Sequence, residues 1–134
     1  KPNGIFSAVV GGKSEFSPIL KSFLRLLEKA LRDDNKGDLP PLGDQRTKSS
    51  EGLKSLFTDA NFSDVQVSDF RVNFCAPPES LINYFMLMYD VGLLSGTSRV
   101  ELSAALLEEM NSMMDAEGNV EHFIWLRQVT CRRR

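Results

Sequence analysis

Histidine, tryptophan and cysteine are scarce in this chain, which has one, one and two of them among its 134 residues. With one histidine and no nucleophile-elbow motif, no Ser-His-Asp or Cys-His arrangement is predicted. Cys75 and Cys131 match no metal-ligand spacing and lie in apolar stretches, so we expect no metal site and two buried, reduced thiols. Reduced thiols are typical of a cytoplasmic protein.

Long apolar runs and a strong overall charge are also missing. No apolar stretch is long enough to span a membrane. The net charge of −2 argues against a protein that binds nucleic acid or a membrane surface. Acidic residues are nevertheless concentrated between positions 51 and 122, where twelve carboxylates outnumber three basic side chains. We interpret this run as a solvated acidic face.

Apolar periodicity predicts strands that alternate with helices. We expect strands over 5–10, 64–74 and 120–131, and a first helix from Pro18 capped by Ser17. A second helix is capped by Ser49 or Ser50 and ends at Asn61, which suits a left-handed terminal position. A third helix opens at 77–79 and ends near 92–96, and the capping box at 98–101 begins a fourth. This order is typical of an α/β fold.

The strand patterns carry further information about the sheet. The first strand is a short, mostly apolar run bounded by Gly11 and Gly12, which predicts cover on both faces, although it would be a bare edge unless another segment pairs with it. The last strand is apolar on both faces over 123–126, so we place it at the centre of the sheet. Between Val67 and Phe70 the apolar parity changes, which predicts a bulge or a change of face.

Three segments in order resemble class I S-adenosylmethionine-dependent methyltransferases. "KPNG" before an apolar strand is similar to the turn that introduces the fifth strand of that family. "GLKSLFTDANFSDVQV" resembles the helix that leads into the sixth strand, with Asn61 where the family usually has glycine. "VEHFIWLRQVTCRRR" resembles the seventh strand, which in that family runs antiparallel between the fifth and the sixth. The likeness is greatest to the ubiquinone/menaquinone-type branch, which methylates small molecules.

The resemblance implies a fold and a domain organisation. Residues 1–134 would form a single, partial domain, the C-terminal portion of a Rossmann-like methyltransferase sheet. Residues 77–114 would be a helical insertion that covers the substrate as a lid. The family holds its cofactor in an acidic-Gly-x-Gly-x-Gly loop after the first strand, and no such loop occurs in this sequence. The complete protein would bind S-adenosylmethionine, whereas this chain alone would hold no cofactor-binding residue, because the N-terminal half would precede Lys1.

Substrate-side candidates follow from the expected sheet. Ligands of open α/β sheets bind outside the carboxyl ends of the parallel strands, where Gly11, Gly12 and Lys13 follow the first strand. These residues border the substrate or form only a strand-to-helix turn. Tyr84, Met88 and Tyr89 are the other candidates.

The methionines of both inserted helices suit irregular apolar ligands, although such stripes are more often core. This wider set also includes Met86, Met110, Met113 and Met114. His122, the only histidine, is a general base or, as we prefer, a structural residue. No catalytic residue is predicted, since methyl transfer from a sulfonium depends mainly on alignment and desolvation.

Three functions remain open at this point. The first is the C-terminal portion of a small-molecule methyltransferase that is inactive by itself. The second is a non-catalytic interaction module that pairs, with a partner or with itself, through its exposed first strand. The third is an unrelated α/β domain whose methionine-rich helices bind a hydrophobic ligand.

Overall fold

The computed structural model describes residues 4–12, 15–37 and 43–133. Within these ranges the chain forms an α/β fold with a three-stranded antiparallel sheet and four α-helices. The strands are β1 (Ile5–Gly11), β2 (Phe62–Ala76) and β3 (Val120–Arg133). The helices are α1 (Pro18–Asp33), α2 (Ser50–Asp59), α3 (Pro78–Met86) and α4 (Gly96–Ser112), with 3-10 helices at Gln45–Lys48 and Tyr89–Leu93. None of the described helices is long and apolar enough to cross a membrane.

The sheet has the order β1-β3-β2, so the last strand lies between the other two. β1 runs antiparallel to β3, in a register that extends from Ile5 opposite Arg132 to Gly11 opposite Leu126. The central position predicted from the apolar residues of the last strand is therefore confirmed. Within β3, β1 lies opposite residues 126–132.

The chain divides into two compact units. Unit 1 takes in the described residues within 1–15, 40–72 and 124–134, and unit 2 those within 16–39 and 73–123. Unit 1 therefore contains β1, α2 and most of the residues of β2 and β3. Unit 2 contains α1, α3, α4, the last residues of β2 and the first residues of β3.

The main apolar core lies in unit 2, where α1 packs against α4 and α4 against α3. The rings of Phe23 on α1 and Phe85 on α3 stack with centroids 4.7 Å apart, and neither side chain is exposed. Leu106 and Met110 of α4 complete this contact from their own buried positions. Full burial of such side chains contributes roughly 1.5 to 3 kcal/mol each to folding.

Unit 1 is held by a smaller aromatic cluster and by ion pairs, of which that of Arg127 with Asp69 is the most buried. The ring of Phe6 on β1 lies 5.6 Å from that of Phe57 on α2 and 5.8 Å from that of Phe62 on β2. On β3, Arg127 Nε donates to Asp69 Oδ1 of β2 at 2.6 Å, and the arginine side chain is only 6% exposed. This hydrogen-bonded carboxylate raises the pKa of the Arg127 guanidinium above its ordinary value.

Local capping signals placed the helix ends correctly in several cases. Ser17 caps α1 and accepts the N–H of Leu20, and Ser49 caps α2 and accepts the N–H of Gly52. Asn61 follows α2 with φ 67°, as expected for a left-handed residue after a helix.

Two predictions about burial are wrong. β1 is not covered on both faces, since Ile5 is 67% and Val9 is 54% exposed. Within the described residues β1 is an edge strand with β3 as its one neighbour, so an apolar sequence alone did not ensure cover. Cys131 is buried and burial raises its thiol pKa, but Cys75 is exposed because it lies on the outer side of the β2 alternation.

The helix pair has different boundaries from those predicted. α3 ends at Met86 rather than near 92–96, and a 3-10 helix follows it. α4 begins at Gly96 with Ser95 as its cap, three residues before the predicted capping box. Ser98 donates its hydroxyl to Asp34 at the end of α1 instead of capping the helix. The contact with Asp34, which is distant in sequence, thus determines which of the two serines, Ser95 or Ser98, caps α4.

The predicted irregularity in the second strand is present. Burial in β2 alternates until Phe70 and Arg71, which are exposed in succession, and then alternates with the opposite parity. A single extra residue of this kind transfers the buried positions from one set of alternating residues to the other.

Candidate functional site

The most buried polar pair of unit 2 joins the start of α1 to the start of β3. His122 follows Val120 on the inward side of β3, while Glu121 between them is exposed. Ser17 Oγ lies 2.7 Å from His122 Nδ1, and neither residue is exposed. His122 Nε2 has no hydrogen-bond partner among the described residues.

Three aromatic rings surround His122. The centroid distances are 4.7 Å to Phe74 near the end of β2, 5.1 Å to Phe85 and 5.6 Å to Tyr84, both on α3. Burial in this apolar setting lowers the pKa of His122 to about 4, because a charged imidazolium would lose its hydration. The imidazole is therefore neutral at pH 7 but only weakly basic, because its pKa lies well below that pH, so it suits a hydrogen-bonding group better than a general base.

The substrate-side candidates on the helix pair lie in different environments. Tyr84 belongs to the aromatic group around His122, with its ring 5.9 Å from that of Phe74. Met88 is partly buried against the apolar core. Tyr89 is 66% exposed. Of these three, Tyr84 is the residue that meets the buried polar pair, and the substrate role of all three stays a prediction.

The two described candidates at the end of β1 differ in their surroundings. Gly12 makes a close backbone contact, and Gly11 lies in open space. Gly12 donates its N–H to the carbonyl oxygen of Trp125 at 2.9 Å. A Cβ at Gly12 would lie 2.8 Å from that carbonyl, so no larger residue fits without movement. Gly11 has no atom within 4 Å of such a Cβ. Lys13 lies outside the described residues, and a substrate role for the three residues stays a prediction.

Two surface cavities lie along α1 and α4, away from the predicted residues. One has a volume of about 190 Å³ and holds the ion pair of Lys29 and Asp33, 2.6 Å apart. The other, of about 360 Å³, is bordered by Glu108 and Glu109. In the ranges that the structure describes, no group of three or more histidine, cysteine or acidic side chains could hold a metal ion.

The pair of Ser17 and His122 could not be found from the sequence. The two residues are 105 positions apart, and Ser17 is fully accounted for as a helix cap. One weak signal was present, because His122 has the same parity on its strand as the apolar Val120.

Comparison with known proteins adds no assignment: no family model and no curated protein sequence matches this chain.

Proposed function

We propose that this chain is the C-terminal, substrate-side portion of a class I S-adenosylmethionine-dependent methyltransferase that acts on a small molecule in the cytoplasm. The cofactor half would belong to a preceding part of the complete protein, and the chain alone would be inactive. The observation that carries this proposal is the strand order β1-β3-β2, with β3 antiparallel to β1.

The strand order is informative because it is not the simplest arrangement. Consecutive strands are neighbours in roughly two thirds of cases, so β2 would ordinarily lie beside β1. Here β3 separates them. The resemblance of the three sequence segments implies this arrangement, with the seventh strand antiparallel between the fifth and sixth. The three sequence segments and the strand order thus support the same proposal.

The position of the aromatic group also supports a small-molecule substrate. Phe74 lies near the carboxyl end of β2, and His122 lies at the start of the antiparallel strand β3, 4.7 Å from it. Open α/β sheets bind ligands at this edge. A neutral imidazole among aromatic rings suits a mostly apolar molecule with few polar groups.

The test compares the native gene product with the 134-residue chain. We expect the native product in cell extract to have a mass of about 25 to 30 kDa, the size of a complete nucleotide-binding domain of this kind. By isothermal titration calorimetry, this product should bind S-adenosylmethionine, whereas the chain alone should not. A native product near 15.0 kDa, the mass of this chain, would overturn the proposal, as would cofactor binding by the chain alone.

One observation favours a second candidate, a module that pairs through β1. β1 lies at the edge of the described sheet, with Ile5 67%, Phe6 41% and Val9 54% exposed. An uncharged, apolar edge strand is a template for pairing with another strand. Light scattering should then show a stable dimer that Val9→Lys dissociates, while Leu87→Lys at another exposed site does not. A monomer at all concentrations would contradict this candidate.

A further inference from the structure

The hydrogen-bond network around His122 determines which of its nitrogens carries the proton. Ser17 Oγ already accepts the backbone N–H of Leu20 at 3.3 Å. If the Ser17 hydroxyl donates to His122 Nδ1, both roles of the hydroxyl are used and the imidazole proton is on Nε2. The opposite tautomer leaves the Ser17 hydroxyl hydrogen and the Nε2 lone pair without hydrogen-bond partners among the described residues. The first arrangement leaves fewer buried groups unsatisfied, so the network assigns the proton to Nε2.

The Nε2–H group is therefore a buried donor without an acceptor among the described residues. Its residue is 0% exposed, and Nε2 has no hydrogen-bond partner among the described residues. The rings of Phe74 and Phe85 are the nearest alternatives, and an aromatic face is a much weaker acceptor than an oxygen atom. Buried donors without partners are rare in folded proteins, and a functional role is one of the explanations for them, beside strain or a bound water or ion.

The surroundings define which kind of acceptor suits the Nε2–H group. The hydrogen-bonding and aromatic groups around the imidazole are the Ser17 hydroxyl and the rings of Phe74, Tyr84 and Phe85, none of which is charged. The lowered pKa of about 4 keeps His122 neutral at pH 7. A carboxylate here would lose its hydration without gaining an opposite charge. An uncharged carbonyl oxygen is the acceptor that fits best.

We propose that His122 Nε2–H donates a hydrogen bond to the carbonyl oxygen of an uncharged aromatic ligand that packs against Phe74 and Tyr84. Tyr84 is the point of entry, since it is 38% exposed while its ring lies 5.6 Å from that of His122. For the ligand to reach Nε2, this ring has to move, because His122 itself is 0% exposed. The inference rests on the proposed function only in making this ligand the methyl acceptor, because binding itself needs no cofactor.

The experiment uses a matched pair of probes, acetophenone and ethylbenzene, which differ in the carbonyl oxygen. Each is titrated into the 134-residue chain labelled with ¹⁵N-histidine, and the imidazole nitrogens are followed by NMR. Since His122 is the only histidine, the signals need no further assignment. We expect acetophenone to bind about tenfold more tightly than ethylbenzene, as one buried hydrogen bond allows. Its binding should move the Nε2–H signal.

Two variants complete the design. His122→Phe preserves an aromatic ring but removes the donor, so the two probes should bind it within about twofold of each other. Leu87→Ala, at a residue 85% exposed, should keep the preference of the wild type. If His122→Phe does not fold, the probe pair and the NMR signals of the wild-type chain still decide the question.

Several outcomes would overturn the inference. They are equal affinities of the two probes for the wild type, a proton on Nδ1 instead of Nε2, or acetophenone binding that leaves the His122 signals unmoved. If one of these outcomes is found and the native product nevertheless binds S-adenosylmethionine, this inference is removed and the methyltransferase proposal is kept. If acetophenone binds more tightly than ethylbenzene but the native product has a mass of only 15.0 kDa, the methyltransferase proposal is removed and this inference is kept.

Discussion

Acidification should weaken this protein between pH 7 and pH 5, because of His122. The folded state buries the imidazole completely and provides no partner for Nε2 within the described residues. Burial lowers the pKa of His122 from an ordinary 6.5 to about 4. Between these two values the unfolded chain binds a proton that the folded chain does not accept. The free energy of unfolding therefore decreases as the pH falls through this window.

The size of the effect follows from the two pKa values. Each unit between them corresponds to about 1.4 kcal/mol, so the complete loss below pH 4 is about 3 kcal/mol. At pH 5 about 2 kcal/mol of this has been lost relative to pH 7. The carboxyl pKa values of Asp34 and Asp44 lie below their ordinary 3.8, owing first to hydrogen bonds from Ser98 and Arg46, so these two groups contribute mainly at lower pH.

Urea denaturation at pH 7, 6, 5.5 and 5 measures this decrease directly. His122→Phe, which removes the only histidine, should be insensitive to pH over the same range. An NMR titration of the imidazole in the wild-type chain gives the folded pKa independently. The reasoning is refuted if the wild type unfolds at the same urea concentration at pH 7 and pH 5, or if the imidazole titrates near 6.5.

Four further substitutions test local contacts and backbone conformation, each by urea denaturation at pH 7. Gly52→Ala should cost about 1 to 3 kcal/mol, because its Cβ would lie 2.3 Å from the Arg46 carbonyl oxygen, whereas Gly96→Ala, with no atom within 4 Å, should cost nothing and can stabilise α4. Asn61→Ala should cost about 1 kcal/mol, since φ is 67° there. Asp69→Asn should cost about 3 kcal/mol, because the Arg127 guanidinium, 6% exposed, loses its counter-charge.

Each of these substitutions has an outcome that contradicts its argument. Equal stability of the Gly52→Ala and Gly96→Ala variants would mean that the contact with Arg46 is not fixed. An Asn61→Ala variant as stable as the wild type would remove the argument from backbone conformation. If Asp69→Asn lowers the free energy of unfolding by less than about 1 kcal/mol, this ion pair contributes no more than an exposed surface ion pair does.

The parts of the fold that depend on neighbouring residues were predictable. Ser17, Ser49 and Asn61 act through hydrogen bonds or backbone angles within one turn of their own helices. The central place of the last strand was also predictable, since apolar residues on both faces of a strand indicate two neighbours.

Features that depend on distant contacts were not predictable. The start of α4 is at Ser95 because Asp34, 61 residues away, accepts its N–H at 2.6 Å. The exposure of Val9 depends on which strand lies beside β1, and its apolar sequence does not contain that information. Likewise, the pairing of His122 with Ser17 requires the complete arrangement of unit 2.

The carboxylate of Asp34 makes the end of one helix dependent on the start of another. It follows α1 directly, and it accepts hydrogen bonds from the Ser95 backbone N–H and from the hydroxyls of Ser95 and Ser98 at the start of α4. If the last turn of α1 unwinds, α4 loses the anion at its positive end and its first turn is weakened as well. The two turns should therefore open together, so their amide hydrogens should exchange with solvent at similar rates.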